Sequence, residues 1–150
     1  MTVMRENVLF TGKTHTTPTR RAGANPANHG VDLQLTAPGS DAPAIAFEDA
    51  APHPTAEQLF AGAWSACYIT AIGLVAMQKK VKLPADMAVD IQVELLQAGA
   101  DYFLRARFDV SLPGLDQATA EALAHEADLI CPYSKATRNN IDVALNVHTA

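Results

Sequence analysis

Cysteine is scarce in this 150-residue chain: Cys67 and Cys131 are the only two, which excludes a disulfide framework and leaves room for one internal bridge at most. Histidine is sparse too. His15, His29, His53, His125 and His148 are scattered, with no two at metal-ligand spacing, so a His-based metal site is not expected. Positive charge is in deficit, with 11 Lys and Arg against 16 Asp and Glu and a formal net charge of −5. No broad basic surface can form from that balance, which argues against nucleic acid or an anionic membrane as partner. Met1 to Phe10 holds one Arg and lacks an apolar run, so no secretory signal is expected. The expected compartment is therefore a reducing, cytoplasmic one, where a disulfide is more often transient and catalytic than structural.

What the chain does contain is an ordinary globular balance, 49% hydrophobic and 18% charged, in a length that suits one domain over residues 1–150. From Leu59 to Gln78 no charged residue occurs, long enough to span a bilayer by length alone. Gly62, Ser65, Cys67, Thr70 and Gly73 dilute that stretch, and the rest of the chain alternates into soluble strands. A buried central helix is the expectation, with no membrane span. Thr55-Ala56-Glu57-Gln58 forms a capping box at its start, and Lys79-Lys80 suits its negative C-terminal end.

Strands are expected at Val8 to Thr17, at Val31 to Thr36 and, briefly, near Ile45 to Phe47. The polar loop Pro18 to Gly30 carries Arg20 and Arg21, and Ala37 to Pro54 reads mostly as loop. After the helix, Val89, Ile91, Val93 and Leu95 alternate with polar residues. Beyond Gly99 so do Tyr102, Leu104, Ala106, Phe108 and Val110, a strong antiparallel hairpin signal with one buried face. Asp116 can cap a second helix with the apolar stripe Ala120, Leu123, Ala124, Ala127, on whose face Cys131 also falls before Pro132 ends it. Ile141, Val143, Leu145 and Val147 mark a last strand. The order of elements reads as one α+β domain.

Taken singly, each cysteine packs as a small hydrophobe. Together they match what thiol-based peroxide reduction requires: one thiolate becomes a sulfenic acid, and a second thiol condenses with it to a disulfide. A mid-helix Cys67 gains nothing from a helix N-terminus, so its thiolate needs a nearby cation or other donor. Arg20 and Arg21 are the candidates, because Lys79 and Lys80 lie about 18 Å further along the helix. Glu57 is a lone acid at the opening of an apolar helix, able to pair bidentately with an arginine. It precedes Cys67 by about 15 Å of straight helix, so the helix starts later or bends, or the active site is completed across a dimer interface.

The segment Glu57-Gln58-Leu59-Phe60-Ala61-Gly62-Ala63-Trp64-Ser65-Ala66-Cys67 resembles the first motif of the organic hydroperoxide resistance proteins, a branch of the Ohr/OsmC family. Cys131-Pro132-Tyr133-Ser134-Lys135-Ala136-Thr137-Arg138-Asn139-Asn140-Ile141 resembles the second. The likeness runs from about Leu9 to Val147. It implies an OsmC-like fold, with antiparallel strands wrapping two central helices in an intertwined homodimer. It also implies a thiol peroxidase for organic and fatty-acid hydroperoxides that binds no metal, haem or flavin and is recycled by dihydrolipoamide or a lipoylated protein. By the same resemblance Cys67 is the peroxidatic cysteine and Cys131 the resolving one. The activating arginine aligns best with Arg20, Arg21 being the alternative, and its partner glutamate is Glu57. Phe60, Trp64 and Tyr133 are candidate walls for the substrate's tail, or plain core. Asp128 stands where many members carry a histidine. The rival readings are the OsmC branch, with a broader substrate preference, and a non-catalytic redox-sensing domain.

Overall fold

The inner face of the sheet follows from the alternation in the strands. The computed structural model describes residues 6–17, 32–36, 43–48 and 55–150. Its elements are β1 (Asn7–Thr17), β2 (Asp32–Thr36), β3 (Pro43–Glu48), α1 (Ala56–Lys79), β4 (Ala88–Ala98), β5 (Asp101–Ser111), α2 (Gln117–Ile130), α3 (Pro132–Thr137) and β6 (Asp142–His148). Val89, Ile91 and Val93 of β4 and Ala106, Phe108 and Val110 of β5 are buried, whereas Lys13, Gln92 and Arg107 face outward. One face is thus apolar and covered by helices, the other polar. Gly99, at φ 61°, opens the two-residue turn between β4 and β5, a left-handed position that glycine adopts without strain.

The six strands form one sheet in the order β2-β3-β1-β4-β5-β6. Every pairing is antiparallel except the last, where β6 runs parallel to β5. The sheet is therefore mixed, which corrects the expectation of antiparallel strands throughout. The physical reason is the connection: α2 and α3 lie between β5 and β6, a crossover long enough to return the chain in the same direction.

The capping box forms as read, with the Gln58 amide donating to Thr55 Oγ1 at 3.2 Å and the Thr55 amide to Gln58 Oε1 at 2.8 Å. At the other end Lys80 takes a left-handed φ of 57° and its N–H caps the last turn. Trp64 and Tyr68 reach from α1 to Phe108 with edge-on ring centroids 4.8 and 5.1 Å apart, and these rings form the centre of the core. By length and composition α1 is apolar enough to cross a membrane, yet 61% of its most apolar window is buried within the chain. Its remaining face carries Leu59 (47% exposed), Leu74 (46%) and Met77 (69%), with exposed Ala63 and Thr70 between them. That spacing is one continuous helical stripe.

β1 lies against the start of α1 at Gly12, where an added Cβ would sit 2.9 Å from Glu57 Cβ and 3.0 Å from the Gln58 amide nitrogen. Neither neighbour is the free end of a side chain. Gly12→Ala is therefore expected to destabilise by about 1–3 kcal/mol, the usual cost of overpacking. The urea midpoint is the check, and an unchanged midpoint would show that the strand can move away from the helix.

Candidate active site

Cys67 sits in the middle of α1 because the apolar run around it is buried against the sheet. Cys131 reaches the same place from the far side of the second motif. Pro132 does end α2, as expected, but it also opens a helix that sequence reading missed. It takes the first position of α3, where its lack of an N–H costs nothing. Cys131 is thus shared, as C-cap of α2 and N-cap of α3. Its backbone N–H donates to Ala127 O at 2.8 Å, which holds its main chain to the last turn of α2.

The two sulfurs are 3.3 Å apart in a thiol–thiol hydrogen bond, and both thiols are free. A disulfide needs about 2.05 Å, so closing one requires a movement of about 1.3 Å, within reach of small side-chain rotations. Cys131 is fully buried and Cys67 partly so. Burial pushes the Cys67 thiol up from 9.0 to about 11, the Tyr133 backbone N–H donating to its sulfur pulls the other way, and the adjacent Cys131 adds to the rise. That amide, in the first turn of α3, is the functional group sequence reasoning missed. Pro132 as a helix start was the one signal for it.

Further bonds hold this assembly together. Trp64 Nε1 donates to Ser134 Oγ at 3.1 Å, joining α1 to α3. Tyr68 Oη donates to Ala124 O at 2.6 Å, joining α1 to α2, and burial keeps the phenol neutral by pushing its pKa up. Arg138 Nη2 donates to Asp128 O at 2.8 Å and approaches Asp128 Oδ2 at 3.3 Å, which ties the end of α3 to the last turn of α2. Asp128, in the position where a histidine was noted as common, has this bracing role.

Of the residues singled out in the sequence, Cys67, Cys131 and Tyr133 come together here. Trp64 is fully enclosed by its own chain, so it lies beneath the site as core and does not line a path for substrate. Phe60 is half-buried and packs edge-on to Trp64 with centroids 5.6 Å apart, while Tyr133 is 47% exposed. Glu57 stays in the first turn of α1, because the helix begins at Ala56. A later start is thus ruled out as the way to bring it to Cys67. Arg20 and Arg21 lie outside the described residues. Among the described residues no group of three or more His, Cys, Asp or Glu is placed to hold a metal ion.

Comparison with known proteins agrees with this geometry. The family profile described as "OsmC-like protein" matches residues 48–146. The chain belongs to the OsmC-like family. Within it, the relatives include proteins named for organic hydroperoxide resistance. One from Xanthomonas axonopodis pv. citri is 34% identical over 148 residues, covering 95% of this chain and 96% of the relative. OhrA of Bacillus subtilis is 32% identical over 139 residues, covering 93% of this chain and 96% of the relative. Among solved structures, the organic hydroperoxide resistance protein of Elizabethkingia anophelis has a TM-score of 0.62 and 32% identity, covering 69% of this chain and 74% of that one. OhrB of Bacillus subtilis has a TM-score of 0.59 and 28% identity, covering 79% and 96%. The α+β architecture is that of these neighbours.

Proposed function

We propose that this chain is a thiol peroxidase that reduces organic hydroperoxides to alcohols and is recycled by a dithiol. The observation that carries the reading is the 3.3 Å separation of the only two cysteines, brought together from α1 and the α2–α3 junction. Membership of a branch whose members are named for organic hydroperoxide resistance supports it.

In the proposed cycle the Cys67 thiolate attacks the distal oxygen of the hydroperoxide. The O–O bond breaks, Cys67 is oxidised to a sulfenic acid, and the alkoxide leaves with a proton as the alcohol. Arg20 favours the thiolate and the leaving oxygen, and Glu57 holds the guanidinium by a bidentate pair. The Cys131 thiol then displaces water from the sulfenic acid, giving the Cys67–Cys131 disulfide. Dihydrolipoamide, or a lipoyl group on a protein, reopens it through a mixed disulfide and is itself oxidised. No metal, haem or flavin enters these steps. Phe60 and Tyr133 are the proposed apolar contacts for the substrate's tail. The test is steady-state consumption of cumene hydroperoxide and of hydrogen peroxide with dihydrolipoamide as reductant. Turnover that favours cumene hydroperoxide supports the reading, equal rates favour the OsmC branch, and none with either leaves a sensing domain.

The proposed protein is a cytoplasmic homodimer. The apolar stripe of α1 supports this, since a soluble chain gains by covering such a face. Completion of the site across this interface is the proposed answer to the spacing between Glu57 and Cys67 on one helix. Ala63→Glu places an unpaired charge in the middle of the stripe. It is expected to shift the mass in light scattering from twice 15.9 kDa to the single-chain value. A variant that keeps the doubled mass would put the interface elsewhere.

A further inference from the structure

The short helix α3 and its N-cap, Cys131, supply the two groups that touch the Cys67 sulfur, yet the helix has little of its own to hold it in place. It spans six residues, and Cys131 at its N-cap makes no side-chain capping bond. A helix of that length does not persist in water by itself. Its position is set by what it is fastened to.

The fastening nearest the sulfurs is the bond from Trp64 Nε1 to Ser134 Oγ. Trp64 stands one helical turn before Cys67 on α1, and Ser134 stands one turn after Cys131 on α3. The pair is thus a second link, parallel to the sulfur–sulfur contact and one turn removed from it. Both ends are dry, with Trp64 0% exposed and Ser134 3%. A buried indole N–H has no water to turn to, so leaving it unpaired is costly and the bond resists opening. The indole is itself wedged between Phe60 and Phe108, with centroids at 5.6 and 4.8 Å, so the donor direction is fixed by the core.

We infer that Trp64 and Ser134 are positioning residues for the resolving step: their bond holds Cys131 over Cys67 and so decides how often the sulfenic acid closes to a disulfide before it is over-oxidised. The inference rests on the proposed peroxidase cycle. The Cys67 sulfenic acid has two fates. The Cys131 thiol attacks it, forming the S–S bond and releasing water. Alternatively, a second hydroperoxide oxidises it to the sulfinic acid and is reduced to the alcohol. The first fate is intramolecular, and its advantage depends on placement; misplacing reacting groups by about 1 Å can cost about 10²-fold. The second fate depends on hydroperoxide concentration and is indifferent to where Cys131 lies. The partition between them does not depend on how fast the sulfenic acid first forms, so it reads the fate of that acid and not its formation.

The experiment treats the full-length reduced protein with a graded series of cumene hydroperoxide, without reductant, and counts disulfide and sulfinic forms by mass spectrometry. For Ser134→Ala and for Trp64→Phe, the concentration giving equal amounts of the two products is expected to fall at least tenfold. The double variant should fall no further than the worse single variant, because both remove the same bond. Ser134→Thr, which keeps the hydroxyl, is expected to stay within about threefold of wild type. Tyr68→Phe removes the comparable buried bond to Ala124, which does not hold α3, and should leave the partition within twofold. A partition unchanged in both tether variants overturns the inference, as does one that shifts equally in Tyr68→Phe, since general loosening would then suffice. Should Ser134→Ala not fold, Trp64→Phe, which keeps an aromatic ring in the core, decides alone. Wild type that forms neither product removes the peroxidase reading itself, an outcome distinct from a failed tether.

Discussion

Cys67→Ser is expected to lower hydroperoxide turnover to the uncatalysed background, while Cys131→Ser is expected to consume about two equivalents per chain, one to the sulfenic and one to the sulfinic acid, and then stop. The two cysteines are chemically alike, but their surroundings are not. Cys67 is the more accessible and receives the Tyr133 amide, whereas Cys131 is sealed in the core and shares its backbone between two helices. A hydroperoxide arriving from solvent therefore meets Cys67 first. Serine at position 67 keeps the shape but offers a hydroxyl that neither ionises near neutral pH nor passes through a sulfenic state. Serine at position 131 leaves the first step intact and removes the resolving thiol. The sulfenic acid then waits until more hydroperoxide adds a second oxygen, and the protein accumulates as the sulfinic form in mass spectra. Reversed behaviour of the two variants would exchange the assigned roles. Equal residual turnover in both would remove the disulfide from the cycle.

Why the sequence shows some of this and hides the rest has a physical basis. Alternation in β4 and β5 and the stripe Ala120, Leu123, Ala124, Ala127 are local consequences of one buried face, and Val89, Ile91, Val93, Ala106, Phe108, Val110 and the stripe are buried in the structure. Towards the turn the burial fades, with Leu95 and Leu104 half-buried and Tyr102 exposed. The capping box is local too, closing within four residues. Strand direction is not local. Val143, Leu145 and Val147 alternate identically whether β6 runs parallel or antiparallel to β5, and the intervening helices decide it. α3 is too short to display a helical period, so Pro132 was legible as a stop and not as a start. The Tyr133 contact with Cys67 uses a backbone N–H, which no residue type announces. Cysteine pairing was legible because there were two. The bond between Trp64 and Ser134 was not, since the two residues lie 70 positions apart and no local pattern links them.

Arg20→Gln is expected to slow sulfenic acid formation by about 10³-fold at pH 8, and the size follows from three opposing effects. Burial holds the Cys67 thiol at about 11 even with the Tyr133 amide in place, and its position in mid-helix offers no dipole to lower it. A cation is the remaining means of making a thiolate near neutrality. Without it, a thiol near 11 is ionised in only about one molecule in 10³ at pH 8. The more basic thiolate is also a better nucleophile, which recovers about 10²-fold by the usual dependence of thiolate reactivity on pKa. The first two together leave about a tenfold loss. Loss of the donor to the departing alkoxide costs about 10²- to 10³-fold more and supplies most of the size. The pH profile separates the contributions. For Arg20→Gln the rate should keep climbing about tenfold per pH unit towards pH 11, because a raised thiol pKa withholds the thiolate below that value. The wild-type rate should level off well before it. Stopped-flow rates for Arg20→Gln, Arg21→Gln and Arg20→Lys test this. A loss confined to Arg21→Gln assigns the role to the neighbouring residue, and a change of less than threefold in both glutamine variants means that neither arginine activates Cys67.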